Sequence, residues 1–350
     1  MNGKTAVVLF NLGGPDSLDA VKPFLFNLFN DPAIIKMSRP MRWLLAKVIS
    51  SRRAPVAQEI YRQIGGSSPL LANTKEQALG LERKLNDAGG AGNFKCFIAM
   101  RYWHPMAEET VASVKEYGPD RIVLLPLYPQ YSGTTTGSSL GEWHRAAARG
   151  GLVAETRTVC CYPQNAGFVK SVAAIVTKAI AEAGSTGKVP RVLFSAHGLP
   201  KKFVEAGDPY QWQVEQSVKS VVAEIGADSL DWQICFQSRV GRLEWLRPYT
   251  EDALLQAGKE KVPVVMVPIA FTSEHSETLV ELDIEYRELA EKCGVPGYFR
   301  VNTVCADSIF INGLAELVGR ALKGPDCLVS GKGGRICPDN FGVCAFADQV

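Results

Sequence analysis

The chain has 350 residues, of which 46% are hydrophobic and 21% are charged, and its formal net charge is +2. This composition excludes a disordered chain, and the length predicts one large domain or two of ordinary size. The near-neutral charge offers no general attraction to nucleic acid, so we expect no nucleic-acid partner. Apolar runs such as RIVLLPLYP reach half of the roughly 18 residues that span a bilayer, which predicts a cytoplasmic protein without a transmembrane helix.

Short runs rich in Val, Ile, Leu and Phe alternate with longer segments of helical period along the chain. This alternation predicts parallel sheets with helices on both faces. Strands are predicted at residues 4–10, 94–101, 120–127, 152–159, 190–196, 231–236, 261–269 and 297–301. Helices are predicted at residues 17–29, 41–50, 55–63, 73–88, 106–117, 137–149, 164–184, 209–226, 249–257, 275–292 and 307–322.

Two similar turns lie about half a chain apart. The strand at 4–10 leads into FNLGGP, and the strand at 190–196 leads into FSAHGLP. We interpret them as the same turn in two duplicated α/β domains, each with a parallel four-stranded sheet, rather than as parts of one barrel. The predicted domains are residues 1–162 and 163–322, followed by a tail at 323–350. A ligand is expected in the cleft outside the carboxyl ends of the strands.

Three of the four histidines, His104, His197 and His275, directly follow predicted strands. His197 stands in LFSAHGLP, where the flanking Gly and Pro predict a turn that displays the side chain at the cleft. An imidazole in that place can bind a divalent metal or accept a proton near neutral pH. A purely structural histidine is the alternative.

The stretch FTSEHSETLVELDIEY, residues 271–286, is predicted to open a helix. Glu274, Glu277, Glu281 and Glu285 are spaced 3, 4 and 4 residues apart, which would align them in a column on one helical face. One interpretation is a solvated charged face. The other is a column that carries protons or cations, in which neighbouring carboxylates raise one another's pKa.

Residues 36–53 contain six basic residues and no acidic residue. The apolar side chains of this segment fall on one helical stripe, which indicates an amphipathic helix. It is either an ordinary surface helix or a basic, apolar lip that touches a membrane or holds an apolar ligand bearing carboxylates. The members of the stripe are Met41, Leu44, Leu45, Val48 and Ile49.

Three of the nine cysteines, Cys327, Cys337 and Cys344, lie in the last 24 residues with the spacing C-x9-C-x6-C. In a reducing compartment, thiols or metal ligands are favoured over disulfides. An iron–sulfur or zinc site is one interpretation and needs a fourth ligand from elsewhere in the chain. A flexible tail with free thiols is the other.

Eight stretches of the sequence belong together as a family pattern. In chain order they are NLGGPDSLDAVKPFLFNLF, YRQIGGSSPL, MRYWHPMAEET, LYPQYSGTTTGSSL, FSAHGLP, FQSRVGRLEWLRP, PYTEDAL and VPIAFTSEHSETLVELDIEY. Together they resemble the ferrochelatase family, whose members insert ferrous iron into a porphyrin in haem synthesis. The resemblance implies an enzyme, a lyase, with two Rossmann-like domains of the chelatase type that hold a porphyrin and Fe2+ between them. The alternatives are a chelatase for another metal or tetrapyrrole, and a non-enzymatic iron–sulfur or haem-binding protein.

The resemblance also implies residue roles. His197 corresponds to the active-site histidine and Glu277 to the glutamate facing it, and both are expected to contact the Fe2+ substrate. Glu274, His275 and Glu281 are expected to form a route for protons or iron. The residues expected in or near the porphyrin pocket are Leu12, Arg52, Arg53, Tyr61, Arg101, Tyr102, Tyr131, Ser138 and Trp245.

Arg52 and Arg53 are expected to meet the porphyrin propionates, and the basic segment is expected to rest peripherally on the cytoplasmic face of the inner membrane. The sequence is compatible with a homodimer as well as with a monomer.

The tail resembles an extension that carries a 2Fe-2S cluster in some ferrochelatases, with Cys327, Cys337 and Cys344 as ligands. Animal enzymes space these cysteines more closely and take the fourth ligand from the position that is Gly133 here. We therefore expect the fourth ligand to be Cys160 or Cys161, with Cys305 as the next choice.

Overall fold

The computed structural model describes residues 3–87, 93–227, 229–241 and 243–347. Within these ranges the chain forms two sheets, and every strand pair in them is parallel. This arrangement confirms the predicted α/β class with two parallel sheets.

The first sheet has the strand order β2-β1-β3-β4-β9 and the second has the order β6-β5-β7-β8. The strands β1 and β5, which precede the two similar glycine-containing turns, are both internal to their sheets. The first sheet comprises β1 (Lys4–Asn11), β2 (Asn93–Met100), β3 (Arg121–Pro126), β4 (Glu155–Val159) and β9 (Leu328–Val329). The second comprises β5 (Arg191–His197), β6 (Trp232–Gln237), β7 (Val264–Pro268) and β8 (Tyr298–Arg300).

The first sheet has five strands, so the prediction of four strands was wrong for that sheet. The fifth strand comes from the cysteine-bearing tail, where Leu328 and Val329 pair with Thr158 and Val159 of β4. Two residues are too few to show a strand period, and the surrounding Gly, Pro and Asp are typical of a loop. The tail is therefore docked on the body of the protein by backbone hydrogen bonds.

Both faces of the first sheet are covered. Along β1, Val7 and Leu9 belong to one buried apolar cluster, whereas Ala6, Val8 and Phe10 belong to another. Successive side chains of a strand point to opposite faces, so each face packs on its own layer of helices. This double burial explains why the strand reads as an uninterrupted apolar run in the sequence.

Eleven α-helices and one π-helix lie in the described ranges, and none of them is both long and apolar enough to cross a bilayer. The short helix α7 was not predicted. The α-helices are α1 (Val21–Phe29), α2 (Arg39–Arg62), α3 (Leu70–Asp87), α4 (Ala107–Tyr117), α5 (Thr136–Gly150), α6 (Ala166–Gly184), α7 (Lys201–Glu205), α8 (Tyr210–Ile225), α9 (Thr250–Glu260), α10 (Tyr286–Cys293) and α11 (Ser308–Lys323). The π-helix is Glu277–Glu285.

Helix α2 is continuous, although two helices were predicted at 41–50 and 55–63. Pro55 lies inside it and is exposed to solvent. A proline removes one backbone hydrogen bond from a helix interior. The buried face of α2, which includes Ala46, Ser50, Ala54 and Tyr61, packs on both sides of the proline and keeps the helix in one piece.

The predicted helix at 275–292 is divided into the π-helix and α10. In a π-helix the backbone hydrogen bonds join residues five apart, so the side-chain directions differ from those of an α-helix. Such segments occur frequently at functional sites. The acidic column predicted for Glu274, Glu277, Glu281 and Glu285 is not formed, because Glu274 precedes the π-helix and Glu285 is exposed.

Candidate active site

His197 is the last residue of β5, and the five residues directly before it are fully buried. Its Nδ1 lies 2.6 Å from the carbonyl oxygen of Gly198. A carbonyl only accepts hydrogen bonds, so this contact places the ring hydrogen on Nδ1 and leaves the lone pair on Nε2. The side chain is 38% exposed. The structure thus displays His197 at the end of the strand, as the flanking Gly and Pro predicted.

Glu277, the first residue of the π-helix, lies between two imidazoles. Its Oε1 is 3.6 Å from Nε2 of His197, and its Oε2 is 2.9 Å from Nε2 of His275. The longer distance exceeds that of a direct hydrogen bond, so the Nε2 lone pair of His197 remains available. Burial raises the pKa of Glu277, but once His197 and His275 are protonated, the charge of His197 and the hydrogen bond and charge of His275 outweigh burial and lower the pKa to about 2.

His275 is 8% exposed, and both of its ring nitrogens face acceptors. Nδ1 lies 3.2 Å from the carbonyl oxygen of Ser273, and Nε2 faces Glu277. The ring also packs on Phe271, with the ring centres 4.5 Å apart. Beside an ionised Glu277, the ring satisfies both contacts only when both nitrogens carry hydrogen. His275 and Glu277 therefore form a hydrogen-bonded pair within the site.

Glu281 is bound by four donors. It accepts hydrogen bonds from Nε2 of Gln237 at 3.0 Å, from the backbone nitrogen of Ser238 at 2.8 Å and from Oη of Tyr286 at 3.2 Å, as well as from the Ser238 hydroxyl. Burial raises the pKa of Glu281, and the charge of Glu277 raises it further, which outweighs the hydrogen bonds from Ser238 and Gln237. Glu281 is thus a carboxyl group that takes up a proton more readily than a solvated one.

Glu274 makes a different set of contacts. Its Oε1 lies 2.7 Å from Nη1 of Arg300 and accepts a hydrogen bond from the Thr303 backbone nitrogen at 2.8 Å. Its Oε2 accepts from Oγ1 of Thr278 at 2.5 Å. The structure brings Glu277 together with His197 and His275, and it fixes Glu274 on the side of β8.

Three of the expected pocket residues surround a carboxylate that sequence reasoning missed. Asp31, 2% exposed, accepts hydrogen bonds from Oη of Tyr102 at 2.7 Å and from the Ser138 hydroxyl, and its Oδ2 is 2.8 Å from Nη2 of Arg101. Arg101 also donates to Ser138 at 2.6 Å. Arg101 was the signal in the sequence that could have pointed to such a carboxylate. It directly follows a buried strand, and a buried guanidinium needs an acidic partner.

The other six expected pocket residues lie in four places. Leu12 and Tyr61 pack in one apolar cluster with Tyr102, and Oη of Tyr61 accepts a hydrogen bond from Oγ of Ser276 at 3.4 Å, at the start of the π-helix. The Trp245 ring lies 6.5 Å from that of His197. The remaining three residues are Arg52 and Arg53, both exposed on α2, and Tyr131, which packs on Cys160 and Cys161.

Four cysteines are buried around Tyr131 in two pairs. The sulfurs of Cys160 and Cys161 are 3.2 Å apart. Cys337 and Cys344 share a hydrogen bond that lowers the pKa of Cys344 to about 6. Across the described ranges, no group of three His, Cys, Asp or Glu side chains is arranged to hold a metal ion.

Cys327 differs from these four cysteines. It is the exposed cysteine of the tail, and its backbone carbonyl accepts a hydrogen bond from Thr158 as β9 begins. A second contact of the tail was not predicted: the buried amide of Gln213 donates to the Cys337 sulfur at 3.1 Å and accepts from the Tyr131 backbone nitrogen at 2.8 Å.

Comparison with known proteins places these observations in a family. The family model described as Ferrochelatase matches residues 4–322. A protein named Ferrochelatase from Pelagibacter ubique (strain HTCC1062) is 47% identical over 343 residues, which cover 97% of this chain and 98% of that protein. Another of the same name, from Wolbachia sp. subsp. Drosophila simulans (strain wRi), is 52% identical over 314 residues, covering 90% of this chain and 98% of that protein.

A solved structure supports the fold. DR2241 from Deinococcus radiodurans is described as a multi-domain protein with structural similarity to chelatases. It matches this chain with a TM-score of 0.50 and 10% sequence identity, over 97% of this chain and 58% of that one. At this identity the match concerns the α/β architecture alone.

Proposed function

This chain belongs to the ferrochelatase family, and we propose that it handles its two substrates between His197 and Glu277. The enzyme inserts Fe2+ into protoporphyrin in haem biosynthesis, a reaction that releases two protons from the pyrrole nitrogens. The observation that carries the site assignment is the carboxylate of Glu277 held between two imidazole nitrogens, one at 2.9 Å and the other, on His197, at 3.6 Å.

His197 is proposed as the first proton acceptor. Its Nδ1–H is engaged by the Gly198 carbonyl, so Nε2 carries the lone pair that accepts a pyrrole proton. The resulting imidazolium is stabilised by the ionised Glu277 across 3.6 Å. Nε2 of His197 and the oxygens of Glu277 are also ligands that a ferrous ion accepts on its way to the porphyrin.

The route away from this point is proposed to run through His275 and Glu281. His275 shares a proton with Glu277, and the raised pKa of Glu281 makes that carboxyl a suitable next acceptor. Glu274 was expected in the same route, but its contacts with Arg300 and Thr303 suit an anchoring role instead.

The porphyrin is proposed to lie against Leu12, Tyr61 and Trp245. The ring of Trp245 is 6.5 Å from that of His197, and Tyr61 meets the start of the π-helix through Ser276. Contacts of this kind can hold a macrocycle bent, so that its nitrogen lone pairs are accessible to the metal. Arg52 and Arg53, exposed on α2, are proposed to meet the propionates.

Helix α2 is proposed to attach the enzyme peripherally to a membrane. Met41, Leu44 and Val48 are 59%, 60% and 41% exposed, and the basic residues of the same helix suit an anionic lipid surface. The exposed apolar side chains supply the contact with the lipid, and the basic ones supply the attraction. The enzyme would then act at the cytoplasmic face of the inner membrane.

In a flotation assay with vesicles containing anionic lipid, the variant Met41→Glu/Leu44→Glu is expected to lose most of the bound fraction, because it removes apolar contact and adds repelled charge. The matched control is Val153→Glu/Val189→Glu, which changes two valines that are 94% and 70% exposed outside α2. This control is expected to float like the wild type. Equal flotation of both variants, or no binding by the wild type, would contradict the attachment.

The tail is proposed to hold a 2Fe-2S cluster through Cys160, Cys161, Cys337 and Cys344. The donor type suits this cluster, because it is held by four cysteine sulfurs and these four thiols are all buried, although in the described ranges they are not arranged around a single metal ion. When bound, such a cluster supplies a one-electron redox centre. This assignment replaces Cys327, which was expected as a ligand, with the second cysteine of the Cys160–Cys161 pair.

The cluster assignment predicts opposite results for two tail cysteines. Cys337→Ser is expected to remove the bound iron and the visible absorption of the purified enzyme, because it deletes a buried ligand, whereas Cys327→Ser is expected to retain both. The measurements are iron and acid-labile sulfide content and the absorption spectrum after anaerobic purification. A colourless, iron-free wild type contradicts the cluster, and loss of iron in Cys327→Ser contradicts the ligand set.

A further inference from the structure

Arg300, the last residue of β8, makes two ion pairs. Its side chain is 5% exposed, with Nη1 2.7 Å from Oε1 of Glu274 and Nη2 3.0 Å from Oδ2 of Asp283. Glu274 lies three residues before Glu277, and Asp283 lies six residues after it. One guanidinium therefore holds both ends of the segment that carries the central carboxylate of the site.

The contact at Glu274 continues to the histidine of the site. Thr278 donates its hydroxyl hydrogen to Oε2 of Glu274 and accepts a hydrogen bond from the backbone nitrogen of His275 at 3.0 Å. Arg300 is thus linked to the backbone of His275 through the side chains of Glu274 and Thr278. His275 in turn binds Glu277 at 2.9 Å.

The contact at Asp283 fixes the other end of the π-helix. Arg287 also binds Asp283, at 2.8 Å, and donates to the carbonyl of Tyr298 at 3.0 Å. Burial raises the pKa of Asp283, but the hydrogen bonds and charges of Arg287 and Arg300 outweigh it and lower the pKa. Asp283 therefore remains a carboxylate that ties the π-helix to β8.

We propose that Arg300 is a positioning residue that sets the place of Glu277 between His197 and His275. A π-helical segment is uncommon, and it needs surrounding contacts to keep its geometry. Arg300 supplies them at both ends, and its own side chain is almost inaccessible to solvent. The inference rests on the role proposed above for Glu277, and it assigns to Glu274 an anchoring function in place of proton transfer.

A double-mutant cycle separates positioning from a general effect on folding. Arg300→Met is expected to lower kcat by about 30-fold and to leave the KM for porphyrin within about 2-fold, because the cleft walls are untouched. In a Glu277→Asp background, which moves the carboxylate out of place already, Arg300→Met is expected to lower kcat by less than about 3-fold. Arg191→Met is the matched control, because Arg191 also binds two carboxylates, Asp231 and Glu260, but away from the π-helix, and its kcat is expected to fall by less than about 3-fold.

Arg300→Lys provides the second variant if Arg300→Met does not fold. A lysine keeps the charge but cannot bind two carboxylates in the same fork, so it is expected to give an intermediate kcat. Additive losses in the Glu277→Asp background, or an unchanged kcat in both Arg300 variants, would overturn the positioning role. If Glu277→Gln itself leaves turnover unchanged, the proposed function of Glu277 fails instead, so the two failures are distinguishable.

Discussion

Replacement of His197 by alanine is expected to lower kcat for iron insertion by about a thousandfold, while the KM for protoporphyrin changes by less than about threefold. The variant lacks the Nε2 lone pair that accepts the pyrrole proton, and it leaves Glu277 without the cation that it would stabilise. The remaining carboxylate is held by His275 at 2.9 Å and cannot replace the lost base without giving up that contact. Turnover can be followed by the change in porphyrin absorption with Fe2+ under anaerobic conditions, and with Zn2+ as a second metal.

The control for His197 is a histidine outside the site. His144 is exposed on α5, and His144→Ala is expected to retain full turnover. The chain has four histidines, and His144→Ala measures the effect on turnover of losing one that lies outside the site. Wild-type rates in His197→Ala with both metals would remove His197 from the mechanism. Equal losses in both histidine variants would show that the assay reports folding rather than chemistry.

Glu277→Gln is expected to lower kcat by about a hundredfold, whereas Glu285→Gln is expected to stay within twofold of the wild type. An amide cannot stabilise an imidazolium on His197 or share a proton with His275. Glu285 ends the same π-helix but is exposed, so its replacement tests whether negative charge in general, or the half-buried carboxylate between the two histidines, matters. Similar effects of the two substitutions would return the whole acidic stretch to a solvated helix face.

Glu277 also predicts a dependence of stability on pH. Its folded-state pKa is lowered from 4.5 to about 2, so the stabilisation is present above about pH 4.5 and is lost as the pH falls through about 2. Glu277→Gln lacks this contribution. The difference in free energy of unfolding between wild type and Glu277→Gln is therefore expected to shrink as the pH is lowered below 4.5, which denaturant unfolding at several pH values measures.

The pattern of the sequence was sufficient for the strands and for the display of His197. Strands β1, β3, β5 and β7 follow apolar runs, because parallel strands buried on both faces leave no polar alternation. The ninth, Leu328–Val329, has only two residues, and its partner in β4 lies far back along the chain. No local pattern indicates such a pairing.

The contacts of Asp31 and Arg300 were not predicted for a related reason. Asp31 binds Arg101 and Ser138, which are 70 and 107 residues away in sequence. Arg300 binds Glu274, which local spacing assigned to a helical column, and Asp283, which that spacing left outside the column. Opposite charges attract at short distance, but sequence separation does not indicate which of many carboxylates a buried guanidinium will reach.

The sequence by itself determined the α/β class, the family and the identity of the chemical groups. Local apolar runs indicate which segments are buried, and turn residues indicate where the strands end. The tertiary structure decided which of those groups work together. Two glutamates of the acidic stretch have different partners: Glu277 lies between His197 and His275, whereas Glu274 forms an ion pair with Arg300. The physical reason is that the π-helix and the ion pairs of β8 set the directions of these side chains, and both depend on contacts between distant parts of the chain.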